Sequence, residues 1–556
     1  MRGGAVDAVV IGSGAGGAPV ALTLARAGWR VLVLEKGPAY DQRDFVYDEI
    51  RSARRDFFVP AAASEPHVAL TPGGEPEKTT DGWTANCVGG GTVHFSGFTY
   101  RLHPIDLEQR SRLGAVAGAE VADWPIAWSE LEPYYERAEY LIGVSGDAAR
   151  NPFETFRRPL PLPPLAEHGF AGLLDETCAR LGLHSYPTAR AILSRPWSGR
   201  ASCRRKPMCG SYGCETGAKS SALAALITPA LITGNCQVRP LSMVHAIETD
   251  ESGAARAVRY RDPEGREQRV STAVVVVACS AIETARLLLL SRSKAHPEGL
   301  GNQHDQVGRH LMFTGAGAAE VELDRGDPRL QAMDWREPFV NRSLQDYYLL
   351  QRDGRPWRKG GTICFMLPHG NPIFRAEQVA TAGGRLRWGA ALKDALRHHY
   401  RQARVLELEV FSEALPLAAS RVTLDPTVKD RWGLPVARFL RLQHPQDREV
   451  GGLLVDRGLE LLRALGGESP VATRRAGQTP WLQAGTCRFG SDPRQSVLDR
   501  DCRVHSAPNV FVTDGSFMPS SGGVPNTLTI EANALRVADR IVALGRQQAL
   551  QSPRRG

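Results

Sequence analysis

The chain has 556 residues, of which 42% are hydrophobic and 23% are charged. These proportions exclude a disordered chain, and the length favours a globular protein of two or more domains. The formal net charge of +8 comes from scattered basic residues, so nothing in the charge pattern calls for a nucleic acid or a membrane as partner.

The ten cysteines are too sparse for a protein built on disulfides. A strand-like run begins at Val6 and leaves no room for a secretion signal before it. The most apolar later stretch, 273–290, is interrupted by Glu283 and Arg286 and is shorter than a membrane-spanning helix. We therefore expect a cytoplasmic protein without a membrane span.

The N-terminal segment 6–35 predicts a β-strand, a glycine-rich turn, an α-helix and a second strand that ends in an acid. In the turn, Gly12 permits the tight bend, Gly14 lets the backbone approach a pyrophosphate, and Gly17 allows the helix to pack on the strand. The helix N-terminus provides N–H groups for phosphates, and Glu35 can accept hydrogen bonds from a ribose. This Rossmann-like βαβ unit predicts a dinucleotide site.

Two distant segments indicate which dinucleotide binds. Residues 86–97 are glycine-rich, and residues 509–516 run as Asn-Val-Phe-Val-Thr-Asp-Gly-Ser. Each segment taken alone is compatible with an ordinary surface turn. Together with the N-terminal turn they indicate a long ligand held at several points, which favours FAD over NAD.

The middle of the chain carries fewer motifs. Residues 404–410 alternate apolar and polar side chains, as a half-buried strand does. The stretches 159–164 and 354–361 are rich in Pro or Gly and are predicted to be loops, and the sequence contains no internal repeat.

Taken in order, these motifs resemble those of the glucose–methanol–choline (GMC) family of FAD-dependent oxidoreductases. The segments that carry the resemblance are Gly12–Gly17, Glu35, Gly89–Thr92, Val276–Thr284, Val307–Leu311, Gly485–Arg488, Asp514–Ser516 and Leu528–Ile530. Within the family, the chain looks most similar to bacterial sugar dehydrogenases and paromamine 6′-oxidase-like aminoglycoside oxidases, through segments 123–126, 131–135, 217–219 and 503–506.

The resemblance implies an α/β fold with two domains. Residues 1–309 and 477–556 would form a discontinuous FAD-binding domain, and residues 310–476 would form an α+β substrate domain whose antiparallel sheet roofs the flavin. The expected cofactor contacts are Gly12, Gly14, Gly17, Glu35, Gly90, Gly91, His94, Val238, Asp514, Gly515, Asn526 and Thr527.

The expected catalytic base is missing from its usual place. GMC enzymes carry a His three residues before the Gly of Gly-Thr-Cys-Arg, paired with a His or Asn in a Gly-Val-Asn-Pro-Thr segment. This chain has Leu482 at the first position, and the second segment is Gly-Val-Pro-Asn-Thr, which displaces Asn526 by one residue. The remaining candidates for the catalytic site are Asn526, Gln483 and His505, although a neutral amide is no useful base.

Two further features have alternative interpretations. His94 stands where related choline and pyranose oxidases join a His to the flavin, so it either bonds to FAD or only packs beside it. Cys203, Cys209 and Cys214 either hold an iron–sulfur cluster or remain free thiols. We favour free thiols, because the adjacent Cys pair and the Cys-Pro of the cluster-binding relatives are lacking.

The resemblance implies FAD-dependent oxidation of a hydroxyl group on a small polar substrate such as a sugar, a glycoside or an aminoglycoside. The hydride would pass to flavin N5, and O₂ or another acceptor would reoxidise the flavin. Two alternatives remain: a non-redox, lyase-type member of the family, because of Leu482, and a silent binding protein that retains FAD.

Overall fold

The computed structural model of the chain describes residues 6–53, 57–206, 208–323, 328–331, 340–352, 354–368, 370–381 and 384–547. Its strands are β1 (Val6–Ile11), β2 (Val31–Leu34), β3 (His67–Leu70), β4 (Glu77–Thr79), β5 (Ser185–Pro187), β6 (Cys236–Arg239), β7 (Met243–Thr249), β8 (Ala255–Arg261), β9 (Glu267–Val277), β10 (Met312–Glu322), β11 (Val340–Leu344), β12 (Leu349–Arg352), β13 (Arg355–Lys359), β14 (Gly361–Met366), β15 (Val405–Ser412), β16 (Arg421–Lys429), β17 (Pro435–Leu440), β18 (Glu468–Ala484) and β19 (Val510–Val512).

The helices alternate with these strands along most of the chain. They are α1 (Gly17–Arg26), α2 (Glu49–Ala53), α3 (Pro104–Leu107), α4 (Gln109–Leu113), α5 (Trp128–Ile142), α6 (Gly169–Arg180), α7 (Thr228–Ile232), α8 (Ala281–Leu290), α9 (Pro328–Gln331), α10 (Pro372–Thr381), α11 (Gly389–Arg401), α12 (Pro445–Ala464) and α13 (Thr527–Arg546).

The first large sheet, which we call the cradle sheet, has the order β6-β2-β1-β9-β8-β7, with β19 paired to β9. Strands β6, β2, β1, β9 and β19 run parallel. Strand β1 is buried almost throughout and all of β2 is buried, as expected for parallel strands covered on both faces. The predicted Rossmann-like βαβ unit is therefore present as β1, α1 and β2.

The second large sheet, the roof sheet, is antiparallel and has the order β18-β10-β15-β14-β11-β5. Strand β15 contains the predicted alternation: Leu406, Leu408 and Val410 are buried, and the residues between them are partly exposed. Strand β5 comes from residues 185–187, so the roof sheet draws on more of the chain than residues 310–476. The division into two domains at these residues stays a prediction.

The two sheets share one continuous apolar core, which includes Val10 of β1 and Phe313 of β10. A smaller sheet of order β16-β17-β3-β4 packs against α8. The parallel pairing of β3 with β17 places residues 67–79 beside residues 421–440. None of the ten cysteines, all of which lie in the described residues, is in a disulfide bond. Among the described helices, none combines the length and the apolar composition that crossing a membrane requires.

Candidate functional site

A cavity of about 460 Å³ lies where the parallel strands of the cradle sheet end. Residues that follow β1, β2, β9 and β19 line it, together with the glycine-rich segment near residue 90, the end of β18 and two side chains of β15. Ligands of open α/β sheets bind at this carboxyl edge, because the loops and helix N-termini meet there.

In the glycine turn after β1, some glycines are required by close packing within the protein, whereas Gly14 faces open space. A Cβ atom on Gly12 would lie 2.3 Å from the carbonyl oxygen of Ala278, and one on Gly17 would lie 2.0 Å from that of Gly12. Both glycines are thus required by the packing of the chain on itself. A Cβ atom on Gly14 would meet only the Cα of Gly90, at 3.7 Å. The surface of Gly14 is open to the cavity, as a backbone that approaches a pyrophosphate needs to be.

Glu35, at the end of β2, holds the two glycine segments together. Its carboxylate accepts hydrogen bonds from the Ser13 hydroxyl at 2.7 Å, the Ser13 N–H at 3.1 Å and the Gly37 N–H at 2.9 Å. The Ser13 hydroxyl in turn accepts a bond from the Gly89 N–H at 2.9 Å. Burial raises the pKa of Glu35 despite these donors. The acid therefore has a structural role in joining the two glycine segments.

The structure passes a simple test of fit for a dinucleotide. Asn86 lines the cavity, and its side-chain oxygen is buried without a hydrogen-bond partner among the described residues. A buried polar atom without a partner is costly, so a bound polar ligand is the natural way to satisfy it. Together with the open surface of Gly14 and the N-terminus of α1 this suits FAD.

Gly90, Gly91 and His94 line the same cavity. The His94 ring stacks on Phe58, with 4.5 Å between ring centres and 19° between planes. Its Nε2 lies 3.1 Å from the carbonyl oxygen of Thr84. Because that oxygen can only accept, Nε2 carries the proton and donates it to Thr84.

The predicted C-terminal residues Asp514, Gly515, Asn526 and Thr527 also line the cavity, and Asp514 lies directly against Gly16 of the glycine turn. The side-chain nitrogen of Asn526 donates to the backbone oxygen of Gln483 at 2.8 Å. A Cβ atom on Gly515 would lie 2.5 Å from the same oxygen. The segment 514–527 and the end of β18 are thus in direct contact.

The two side chains at the end of β18 differ in what they offer a ligand. The Gln483 amide is fully engaged: its oxygen accepts from Ser280 Oγ at 2.9 Å and from the Ile282 N–H at 3.3 Å, and its nitrogen donates to the carbonyls of Gly82 and Pro480. The Gln483 side chain therefore links β18 to the segments that contain Gly82 and Ser280. Leu482 presents an apolar side chain to the cavity.

Among the residues predicted to bind the cofactor or to act in catalysis, three do not line the cavity. Gly17 lies beneath the turn, and Val238 sits on β6, where it pairs with Val33. His505 bonds Ser496 Oγ through Nε2 at 3.0 Å, and burial lowers the pKa of its imidazole. These three residues affect the site only through the fold, because none of them borders the cavity.

Cys203, Cys209 and Cys214 surround a separate hollow of about 40 Å³ beside the buried Lys219. The Lys219 ammonium donates to the carbonyls of Cys209 at 2.6 Å and Tyr212 at 2.7 Å. Burial lowers the pKa of this lysine. In the part of the chain that the structure describes, no group of three or more His, Cys, Asp or Glu side chains is arranged to hold a metal ion.

Two side chains of β15 line the cavity although neither is among the residues predicted for the site. Glu409 and Phe411 of this strand line the cavity from the roof, and Phe98 faces Phe411 at 5.4 Å between ring centres and 74° between planes. Burial raises the pKa of Glu409 to about 7. The alternation in β15 places both side chains on one face, but only the tertiary structure shows what that face covers.

Comparisons with known proteins agree with this arrangement. The sequence profile of the GMC oxidoreductase family matches in two parts, the N-terminal one at residues 7–313 and the C-terminal one at residues 416–534. The 6′′′-hydroxyparomomycin C oxidase of Streptomyces lividus is 34% identical over 547 residues, covering 97% of this chain and 91% of that protein. Paromamine 6′-oxidase of Streptomyces fradiae is 33% identical, covering 96% of this chain and 91% of that protein.

The fold has close counterparts among solved structures. A variant of formate oxidase from Aspergillus oryzae RIB40 superimposes with a TM-score of 0.67 at 16% sequence identity, covering 99% of this chain and 100% of that chain. At this level of identity the likeness demonstrates a shared architecture.

Proposed function

The chain belongs to the GMC oxidoreductase family, and from this premise we propose that it is an FAD-dependent enzyme that oxidises a hydroxyl group of a small polar substrate. The substrate class that fits is a sugar, a glycoside or an aminoglycoside, because two relatives that match nearly the whole chain are named as oxidases of aminoglycoside compounds. No observation on the described residues or the relatives favours a non-redox reaction.

One observation carries the proposal: a single cavity extends from the open surface of Gly14 to Leu482, Asn526 and the roof residues of β15. The cradle residues Gly12, Gly14, Glu35, Gly90, Gly91, Asp514, Gly515 and Thr527 would hold FAD. Bound FAD supplies the acceptor for the hydride that leaves the carbon of the substrate.

Asn526 is the side chain proposed to orient the substrate hydroxyl. Its nitrogen is fixed by the bond to Gln483, which leaves its oxygen to accept a hydrogen bond from the substrate hydroxyl. The neutral amide does not take up the proton, which would pass to solvent as the hydride leaves the carbon. Leu482 excludes water beside it and removes no proton. Gln483 would act as a positioning residue, because its own amide is fully engaged.

The proposal is tested by adding paromamine or a simple sugar to the purified, FAD-loaded protein under anaerobic conditions. We expect the visible flavin absorption to disappear as the alcohol is oxidised. If no alcohol bleaches the flavin, the proposed function is wrong. If the flavin is bleached, oxygen consumption on admission of air would identify O₂ as the acceptor. Turnover only with an added dye would identify a different acceptor.

We further propose that His94 packs beside FAD without a covalent bond. Its Nε2 is engaged by the Thr84 carbonyl, so a bond through that nitrogen would require this contact to break, and the stacking on Phe58 holds the ring in its present orientation. Acid precipitation of the loaded protein should leave FAD in the supernatant. Colour retained in the pellet would show covalent attachment.

The thiols of Cys203, Cys209 and Cys214 are proposed to be free. The loop that carries them is fixed by Lys219, whose ammonium already uses the carbonyls of Cys209 and Tyr212. Iron analysis of protein purified without oxygen should find no iron in stoichiometric amount. Iron and acid-labile sulfide in a constant ratio to flavin would contradict this assignment.

A further inference from the structure

Among the described residues, four acidic side chains line the cavity, and three of them are already engaged. Glu35 is bonded to Ser13 and Gly37, Glu283 to His67 and Arg286, and Asp514 to Ser516 and Thr284. The fourth, Glu409, forms no hydrogen bond or ion pair with any residue that the structure describes. A partly buried carboxyl group without a partner is costly, so its presence needs an explanation.

Glu409 is placed far from the end of β18. In the roof sheet it pairs with Ala318 of β10, whereas Gln483 pairs with Phe313 of the same strand. The step from Phe313 to Ala318 corresponds to roughly 17 Å along the strand, and the separation from β15 to β18 to about 10 Å across it. A general base must be within hydrogen-bond reach of the reacting hydroxyl. Glu409 therefore does not replace the histidine missing at position 482.

The surroundings of Glu409 suit a cation. Phe411 lies two residues further along the same face of β15, and it meets Phe98 edge to face. Both rings line the cavity with Glu409. The faces of aromatic rings attract ammonium groups, and a nearby carboxylate adds to that attraction. One cation already lies beside the rings: the buried guanidinium of Arg190 is 5.7 Å from the centre of the Phe98 ring and donates to the Ser96 carbonyl at 3.0 Å, so Phe411 and the remaining surface of Phe98 are what a ligand can meet.

The other charged and titratable neighbours lie around Glu409 itself. Glu407, on the same face, is neutralised by Arg375 of α10 at 2.7 Å. Arg474 of β18 lies in the same row across the sheet, on the far side of Ala318, and Cys364 of β14 is directly opposite. Burial raises the pKa of Glu409, the charge of Arg474 opposes the rise, and Glu407 adds to it. A bound cation would favour the ionised form.

We propose that Glu409, with Phe98 and Phe411, forms a binding site for an ammonium group of the substrate, at the end of the cavity remote from Asn526. The site then selects amino sugars over neutral sugars: the ammonium group is held at one end while a hydroxyl group reaches the other. This inference rests on the proposed function and names the class of alcohol that the enzyme takes.

The test compares paromamine with its N-acetylated derivative, which keeps the hydroxyl groups and loses the positive charges. The wild-type enzyme should prefer paromamine in kcat/KM. In Glu409→Gln we expect the ratio of the two kcat/KM values to fall by roughly tenfold to a hundredfold, mainly through KM, because a hydrogen-bonded charge pair is lost. Glu409→Asp should recover part of the preference.

Glu407→Gln is the matched control, because it removes an acid two residues away that already has a partner. It should leave the ratio near the wild-type value. An equal loss on both substrates in Glu409→Gln, or an equal loss of preference in Glu407→Gln, would overturn the assignment. Visible flavin spectra of all variants verify that FAD is bound.

The pH dependence provides a second measurement. Ionised Glu409 is required, so kcat/KM for paromamine should rise as the pH increases through about 7. This rise should be absent in Glu409→Gln. A rise that persists in the variant would assign the titration to another group and contradict the proposal.

Calorimetric titration with paromamine separates this inference from the proposed function. Wild-type protein should bind paromamine more tightly than Glu409→Gln whether or not turnover follows. If no alcohol bleaches the flavin but this difference in affinity is present, the oxidation is wrong and the ammonium site stands. If paromamine is oxidised but both proteins bind it equally, only the ammonium site is wrong.

Discussion

The cradle and the roof of the cavity are built from different parts of the polypeptide. In the cradle, backbone meets backbone: Gly12 and Gly17 allow segments to approach to distances that no side chain permits, and Gly14 leaves its surface open to the cavity. In the roof, side chains of residues distant in sequence, such as Phe98 and Phe411, meet beside the cavity. The cradle thus depends on the absence of side chains, and the roof depends on their identity.

This difference predicts how each region responds to substitution. A change in the cradle should act on folding or on FAD affinity and affect every substrate equally. A change in the roof should leave FAD bound and alter turnover or substrate preference. The following variants test this separation, beginning with the largest expected effect.

Gly17→Val should prevent folding. Its Cβ atom would lie 2.0 Å from the Gly12 carbonyl oxygen, and neither backbone can move without separating α1 from β1. We expect a loss of more than about 4 kcal/mol in the free energy of unfolding, seen as insoluble protein or as a strongly lowered melting temperature. The control is Gly172→Val in α6, where an added Cβ atom has no neighbour within 4 Å. A folded, yellow Gly17→Val protein would show that the turn is less tightly packed than described.

Gly14→Val should fold and lose FAD. The added Cβ atom meets only Gly90, at an ordinary contact distance of 3.7 Å, so the protein itself tolerates it, but the side chain occupies the space of the pyrophosphate. We expect colourless protein whose melting temperature equals that of wild-type apoprotein. Purification of a fully FAD-loaded variant would refute the assignment of Gly14 to the cofactor.

Leu482→His tests the roof side of the comparison. The substitution places an imidazole where related enzymes have their base, in a cavity wall that already contacts Asn526 through its neighbour Gln483. We expect FAD content to be unchanged and kcat to rise by about tenfold or more above the pKa of the imidazole, since a positioned base is worth more than that in many enzymes. Loss of turnover with FAD retained would instead mean that the site needs an apolar residue there.

The same contrast explains what the sequence could predict. The strand, turn, helix and acid of residues 6–35 are close together in the sequence. Each of these elements can be predicted from the stereochemistry of glycine and from the spacing of apolar residues. Glu409 also lies in a predicted strand, yet which face of that strand covers the cavity is decided by the pairing of β15 with β10 and β14. Likewise, the engagement of Gln483 by Ser280 and Gly82 depends on contacts between residues hundreds of positions apart.

Ser13→Ala should have the smallest effect, and it tests whether side chains matter in the cradle at all. The Ser13 hydroxyl donates to Glu35 at 2.7 Å and accepts from the Gly89 N–H at 2.9 Å, so it ties the acid to the second glycine segment. Its removal leaves the Gly89 N–H without this acceptor while the backbone bond from Ser13 to Glu35 remains.

We expect Ser13→Ala to fold normally and to bind FAD about three- to tenfold more weakly, as the loss of one or two neutral hydrogen bonds implies. Titration of apoprotein with FAD, followed by flavin fluorescence, measures the change in Kd. Ser252→Ala removes a hydroxyl from an exposed turn and should leave Kd unchanged. If the ratio of kcat/KM for paromamine and its N-acetylated derivative also changed in Ser13→Ala, cradle and roof would be coupled. If the ratio is unchanged, the cradle determines only the fraction of the enzyme that carries FAD. The two regions then act independently.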